Sequence, residues 1–283
     1  MKKNFLIRQY LSDKKMSIRH NYLSEQFQNS KKIFNLIDDV VKFNDFTLGR
    51  YVEKFEKEFC KYQKTKYAIG VGSGTDAIFL SLKALGIKEG DEVLTPTYSF
   101  YATAGAIATA GAKPVFVDVK NDLNIDENKI EQKITKKTKA IVPVHWSGRV
   151  CEMDKILKIA KKYGLFVVED ACHAILAHDD NKKFAGNFGV TGCFSMHPLK
   201  NLNVWGDGGI ITTNNKKIYE KLGGSSPILK LTIEQSEKLE RKLNENKNLD
   251  KYKCFIVMRC WHPRASKVIN DVKSFNPEEV VLL

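Results

Sequence analysis

The sequence predicts an α/β fold: a three-layer, mostly parallel sheet between helices. Two observations carry this. From residue 67 onward, short apolar runs alternate with segments of helical period. The apolar runs do not alternate with polar residues, as strands covered on both faces require, and such strands, joined through helices, form parallel sheets. With 283 residues, 43% of them hydrophobic, the chain can bury one large core or two smaller ones.

The elements follow in order. YAIGV (67–71) reads as a strand. TDAIFLSLKALG (75–86) sets Ile78, Leu82 and Leu85 on one helical face. DEVLTP (91–96) is a strand, followed by an Ala-rich helix near 101–110 and the strand KPVFVDV (113–119). KAIVPVHW (139–146) is the next strand. EMDKILKIAKKYG (152–164) is an amphipathic helix closed by Gly164. LFVVED (165–170), GCFSMH (192–197) and GGIITTN (208–214) complete the strands. In such sheets the ligand crevice lies at the carboxyl ends of the strands.

Composition narrows the function. The net charge is +13. The first twenty residues hold six basic residues and one acidic, and residues 216–283 hold 14 basic and 9 acidic, so the excess is spread out. No basic stripe with interleaved aromatics occurs, so nucleic acid is not an expected partner. Six cysteines (60, 151, 172, 193, 254, 260) form no CxxC and read as free thiols, with Cys172 and Cys193 as small core residues. The N-terminal apolar patch is too short for a signal sequence. Residues 93–112 are uncharged, but rich in Thr, Gly and Ala with a proline at 96, and read as buried turn and helix rather than a membrane span. The expectation is a soluble cytoplasmic protein without a membrane partner.

Three motifs carry chemistry. In VGSGTDA (71–77) a strand runs through a Gly-Ser-Gly turn into a helix: either a plain structural turn, or an anion cradle in which the glycines let the backbone approach a ligand and the helix start offers free N–H groups. In VVEDACH (167–173) Asp170 ends a strand, as a helix cap or as an acid facing a heterocyclic nitrogen. In FSMHPLKNLNVWGDGG (194–209) Ser195 and Lys200 flank Pro198, which biases His197 toward an extended conformation and limits how the lysine points. A buried amine loses its proton readily and attacks aldehydes. Cradle, strand-end acid, hydroxyl and lysine, in that order, are the parts of a site for pyridoxal 5'-phosphate (PLP). No GxSxG elbow supports acyl transfer, and no paired-His spacing supports a metal.

These residues resemble the DegT-type sugar aminotransferases over about residues 21–215. The resemblance is carried by DFTLGRYVEKFEKEF, GVGSGTDAIFLSLKALGIKEGDEVLTPTYSF, GAKPVFVDV, TKAIVPVHWSG, VEDACHA and GCFSMHPLKNLNVWGDGG. It implies a large domain of the aspartate-aminotransferase fold (PLP fold type I) and roles for single residues. Lys200 would carry the internal aldimine and shuttle the proton between Cα and C4′. Asp170 would pair with the ring nitrogen, and His173 would stand near the ring oxygen. Gly74, Thr75 and Ser195 would hold the phosphate. Phe100 would stack on the ring, with Tyr98 as the rival. The implied reaction moves an amino group, usually from glutamate, to a keto group of a nucleotide-linked sugar. Lys200 argues against the dehydratase branch, which carries histidine there. A homodimer is also implied.

From about Lys216 the text changes, and residues 216–283 resemble a fragment from the first half of ferrochelatase, in place of the family's small domain. That tail is expected to form a helix (232–244), a strand (253–258), a helix (264–274) and a strand (279–283). The chain then divides into a basic extension (1–20), the transferase large domain (21–215) and the tail (216–283). Two other readings compete with an active enzyme: a truncated or chimeric product that still holds PLP, and a non-enzymatic interaction module.

Overall fold

A computed structural model describes residues 23–46, 49–223, 227–245, 253–254 and 265–275. The chain divides into two compact units between Phe46 and Thr47. In the first unit lie the short helix α1 (Leu23–Gln26) and the amphipathic helix α2 (Lys31–Lys42).

The second unit begins with α3 (Arg50–Gln63), β1 (Tyr67–Val71), α4 (Gly74–Ala84), β2 (Glu92–Pro96), α5 (Ala102–Thr109) and β3 (Lys113–Val117). It continues with α6 (Glu127–Ile130), β4 (Thr138–Ile141), α7 (Met153–Tyr163), β5 (Phe166–Asp170), β6 (Thr191–Ser195) and β7 (Gly209–Thr213). Helices α8 (Lys216–Lys221), α9 (Pro227–Asn244) and α10 (Ala265–Phe275) follow. Every strand expected between 67 and 214 is present: β1 has the expected bounds, and the others are shorter by one to several residues, β4 and β6 also starting one residue earlier. Both expected tail helices are present too, while the expected strands at 253–258 and 279–283 fall largely or wholly outside the described residues. Gly164 ends α7 in the left-handed region (φ 66°), where its missing Cβ relieves the clash that other residues meet.

The seven strands form one sheet in the order β1-β7-β6-β5-β4-β2-β3. All neighbours are parallel except β7, which runs antiparallel to β1 and β6. Consecutive residues face opposite layers. Val93, Ala140, Val168, Cys193 and Ile211 pack with Ile78 and Leu82 of α4 and Ile107 of α5. Leu94, Ile141 and Val167 pack with Ile156 and Ala160 of α7, and Phe194 and Ile210 pack with Phe59 of α3. That two-sided burial is why the strands read as continuous apolar runs. Each fully buried Ile or Leu contributes about 1.5–3 kcal/mol by leaving water.

Because β7 is reversed, its first residue meets the last residues of two strands: Gly209 pairs with Val71 of β1 and with Ser195 of β6. One sheet edge therefore gathers the start of α4, the ends of β5 and β6, and the start of β7.

Candidate active site

Helix α4 starts at Ser73, an N-cap whose Oγ accepts the Asp76 N–H (3.0 Å) and donates to Asp76 Oδ2 (2.9 Å). This reciprocal cap fixes the entry angle of the helix. The spacing Ser73-x-x-Asp76 is a capping signal that the reading of this stretch as a cradle does not use. Among the described residues, the N–H groups of Gly74 and Thr75 take part in no hydrogen bond. They are the open donors of the helix end. The glycine at 74 has a different reason from the close ligand approach expected of the turn. A Cβ there would lie 2.7 Å from Ser195 Cβ and 2.8 Å from Cys172 Sγ, so the glycine lets α4 seat directly on the ends of β5 and β6.

Asp170, buried at the end of β5, is held on both oxygens: Oδ1 accepts the Cys172 N–H (3.2 Å) and Oδ2 accepts the Thr103 hydroxyl of α5 (2.8 Å). Thr103 Oγ1 also lies 2.7 Å from Ser99 Oγ. Thr103 stood in the uncharged 93–112 stretch with no chemical signal, and only the packing of α5 on the sheet brings it here.

Lys200 lies beyond β6, in a turn rather than on the strand. The His197 carbonyl accepts the Lys200 N–H (2.8 Å), and Pro198 occupies the second turn position, where its fixed φ suits the bend. Ser195 Oγ accepts the His197 N–H (3.3 Å), and His197 Nδ1 accepts the Leu199 N–H (3.2 Å). The turn explains the constraint around the lysine: its backbone is fixed while its amine, among the described residues, lies within ion-pair distance of no carboxylate.

The charges of Asp170 and Lys200 act in opposite directions on the same two side chains. Burial pushes the His173 imidazole below its ordinary value, the nearby Lys200 charge pushes it further, and Asp170 opposes them. Burial raises the Cys172 thiol, Asp170 raises it more, and Lys200 works the other way. Cys193 is the core residue expected, but Cys172 is half-buried and belongs to the site instead, touching Gly74 and Asp170.

An aromatic ladder ends at His173. Tyr98 meets Trp146 edge-on (4.9 Å between centroids), and Trp146 meets His173 edge-on (4.9 Å). Phe100 packs on Tyr101 (4.5 Å) and joins the group through its backbone, its carbonyl accepting the Thr103 N–H (3.2 Å). The structure therefore links Tyr98 to His173 through rings and leaves Phe100 57% exposed.

Glu169, the neighbour of Asp170, was passed over in the sequence. It is fully buried, and its carboxylate accepts from Gly186 N (2.7 Å), Phe188 N (2.7 Å), Gly189 N (2.5 Å) and His145 Nε2 (2.9 Å). His145 Nδ1 accepts the Cys151 N–H (3.1 Å), so the ring proton sits on Nε2 and points at Glu169. The His145 N–H binds the Asp170 carbonyl (3.0 Å), which ties this buried network to the site.

Residues 28–257 match the model of the DegT/DnrJ/EryC1/StrS aminotransferase family. This chain belongs to that family. A pleiotropic regulatory protein of Geobacillus stearothermophilus is 47% identical over 201 residues, 70% of this chain and 54% of the relative. GDP-perosamine synthase of Escherichia coli O157:H7 is 42% identical over 174 residues, 61% of this chain and 47% of the relative. The crystal structure of NtdA from Bacillus subtilis with bound cofactor PMP superposes with a TM-score of 0.67 at 37% identity, covering 74% of this chain and 48% of that one. The chain thus spans about half the length of the curated relatives it matches. The family match continues past residue 216 to 257, and nothing supports the expected ferrochelatase resemblance of the tail. The fold expectation stands: the mixed, mostly parallel sheet is that of the aminotransferase structures. Among the described residues, no helix is long and apolar enough to cross a membrane.

Proposed function

We propose that this chain binds PLP and serves a transaminase that moves an amino group, with glutamate as the donor, to a keto group of a nucleotide-linked sugar. The observation that carries the reading is geometric: the buried Asp170 carboxylate, held by Thr103 and the Cys172 N–H, and Ser195 both lie at the open start of α4, where a Cβ on Gly74 would come 2.7 Å from Ser195 Cβ and 2.8 Å from Cys172 Sγ. The name GDP-perosamine synthase, borne by a relative, agrees with a sugar substrate.

The residues fit the group at three points. Gly74 and Thr75 offer open N–H donors at a helix start, with the Ser195 hydroxyl alongside, as a phosphate requires. Asp170 is a buried carboxylate held rigidly by its neighbours, suited to an N–H cation. Lys200 presents an amine from a fixed turn. When bound, PLP supplies the electron sink that amino transfer needs. Lys200 Nζ would hold the cofactor covalently and move the substrate's Cα proton, and Asp170 would keep the ring nitrogen protonated. His173, kept neutral by burial and Lys200, would give or accept a hydrogen bond at the ring oxygen without adding charge. Phe100 would cover the ring, and residues 21–215 would form the cofactor domain.

Reconstitution with PLP should give a visible absorption band, and borohydride followed by peptide mapping should find the cofactor on Lys200. Lys200→Ala should lose the band. A band that survives this substitution, or a label on another lysine, would overturn the assignment. Glutamate should discharge the band of the wild type.

A further inference from the structure

We infer that Ser99 and Thr103 are positioning residues for Asp170: a two-hydroxyl relay that locks the carboxylate and ties it to the loop carrying Phe100. The inference rests on the PLP reading above.

The direction of the relay follows from the donor inventory. A carboxylate only accepts, and a threonine hydroxyl has one proton to give. Thr103 Oγ1 lies 2.8 Å from Asp170 Oδ2 and 3.3 Å from the Phe100 carbonyl, so the proton goes to the shorter, charge-assisted bond. The lone pair of Thr103 then takes the Ser99 proton across 2.7 Å. Thr103 is 1% exposed, so water cannot replace it. With Cys172 N–H on the other oxygen, one donor from α5 and one from the backbone after β5 fix the carboxylate torsion. The remaining lone pairs are left in a set direction toward the crevice. The same threonine accounts for the loop. Its N–H and its Oγ1 both lie against the Phe100 carbonyl (3.2 and 3.3 Å), and Ser99 is the residue before. A shift of the loop carrying Phe100 would thus be felt at Asp170.

The test uses Thr103→Val, Thr103→Ser and Ser99→Ala in the full chain, with and without Asp170→Asn. Losing a charge-assisted hydrogen bond should weaken PLP binding by about tenfold in Thr103→Val. Thr103→Ser should restore binding, and Ser99→Ala should weaken it by about threefold, roughly the loss of a neutral bond. With PLP labelled by nitrogen-15 in the ring, Thr103→Val should lower the pH at which the ring nitrogen loses its proton by about one unit. In the Asp170→Asn background the same substitution should change binding less than about twofold. Wild-type binding and an unchanged ring-nitrogen titration in both Thr103→Val and Ser99→Ala would overturn the relay. Urea unfolding of the cofactor-free chain supplies the second arm: the losses from Thr103→Val and Asp170→Asn should be less than additive, and strict additivity would overturn the contact. A wild type that takes up no PLP would overturn the functional reading instead, and the unfolding cycle would then decide the contact by itself.

Discussion

Glu169 and Asp170 are consecutive in β5, and their carboxylates leave the sheet on opposite faces. Asp170 meets Thr103 of α5, and Glu169 gathers three N–H groups of residues 186–189 and the ring of His145. The alternation of a strand makes this automatic: Asp170 supplies an acid to the crevice, and the residue before it anchors the loop that leads into β6. His145, bonded to Glu169 through its ring and to Asp170 through its backbone, joins the two.

Glu169→Gln should therefore be costly although Glu169 itself faces away from the candidate site. The amide keeps one acceptor oxygen but turns an NH2 toward backbone donors, leaving at least one buried N–H unsatisfied. A loss of about 3 kcal/mol is expected in urea unfolding. A loss below about 0.5 kcal/mol would show that the carboxylate does not hold the loop.

Gly74→Ala should destabilise by about 2 kcal/mol, because the new methyl meets Ser195 Cβ at 2.7 Å and Cys172 Sγ at 2.8 Å. Ser195→Gly in the same chain should recover part of the loss, since it removes the closer of the two atoms. Equal stability of the single and double variants would mean that the glycine is there for another reason.

The pH dependence has a definite sign at His173. Its folded value lies below the ordinary 6.5, through burial first and Lys200 second. Between the two values the unfolded chain binds a proton that the native chain does not, so stability rises with pH there. The contribution is present above pH 6.5 and is lost as pH falls toward the folded value. Because the ring is half-buried, the slope will be shallow. Urea midpoints from pH 5 to 7 should show it, and His173→Gln should flatten the curve in that window.

The candidate residues were legible to different degrees. Asp170, Ser195 and Lys200 stand out as candidates because each ends an apolar run or borders a proline or glycine turn. Gly74 was found for an incomplete reason: the sequence showed a permissive turn, but the atoms that forbid a side chain come from residues 172 and 195. Thr103 and Glu169 gave no signal of their own. A threonine in an Ala-rich helix and a glutamate beside an aspartate acquire meaning only from what faces them. In the tail, local pattern found both helices, while the resemblance assigned to it has no support.

The sequence by itself determined the alternation of strands and helices, their faces and the residue types at the strand ends, because burial on both sides of a sheet and turn stereochemistry act over a few residues. The tertiary structure decided the rest: the reversal of β7, which pairs Gly209 with both Val71 and Ser195, and the meeting of Thr103 with Asp170 across 67 positions. Those contacts depend on how separate layers pack, and packing is settled by shape and polar complementarity between segments far apart in the chain.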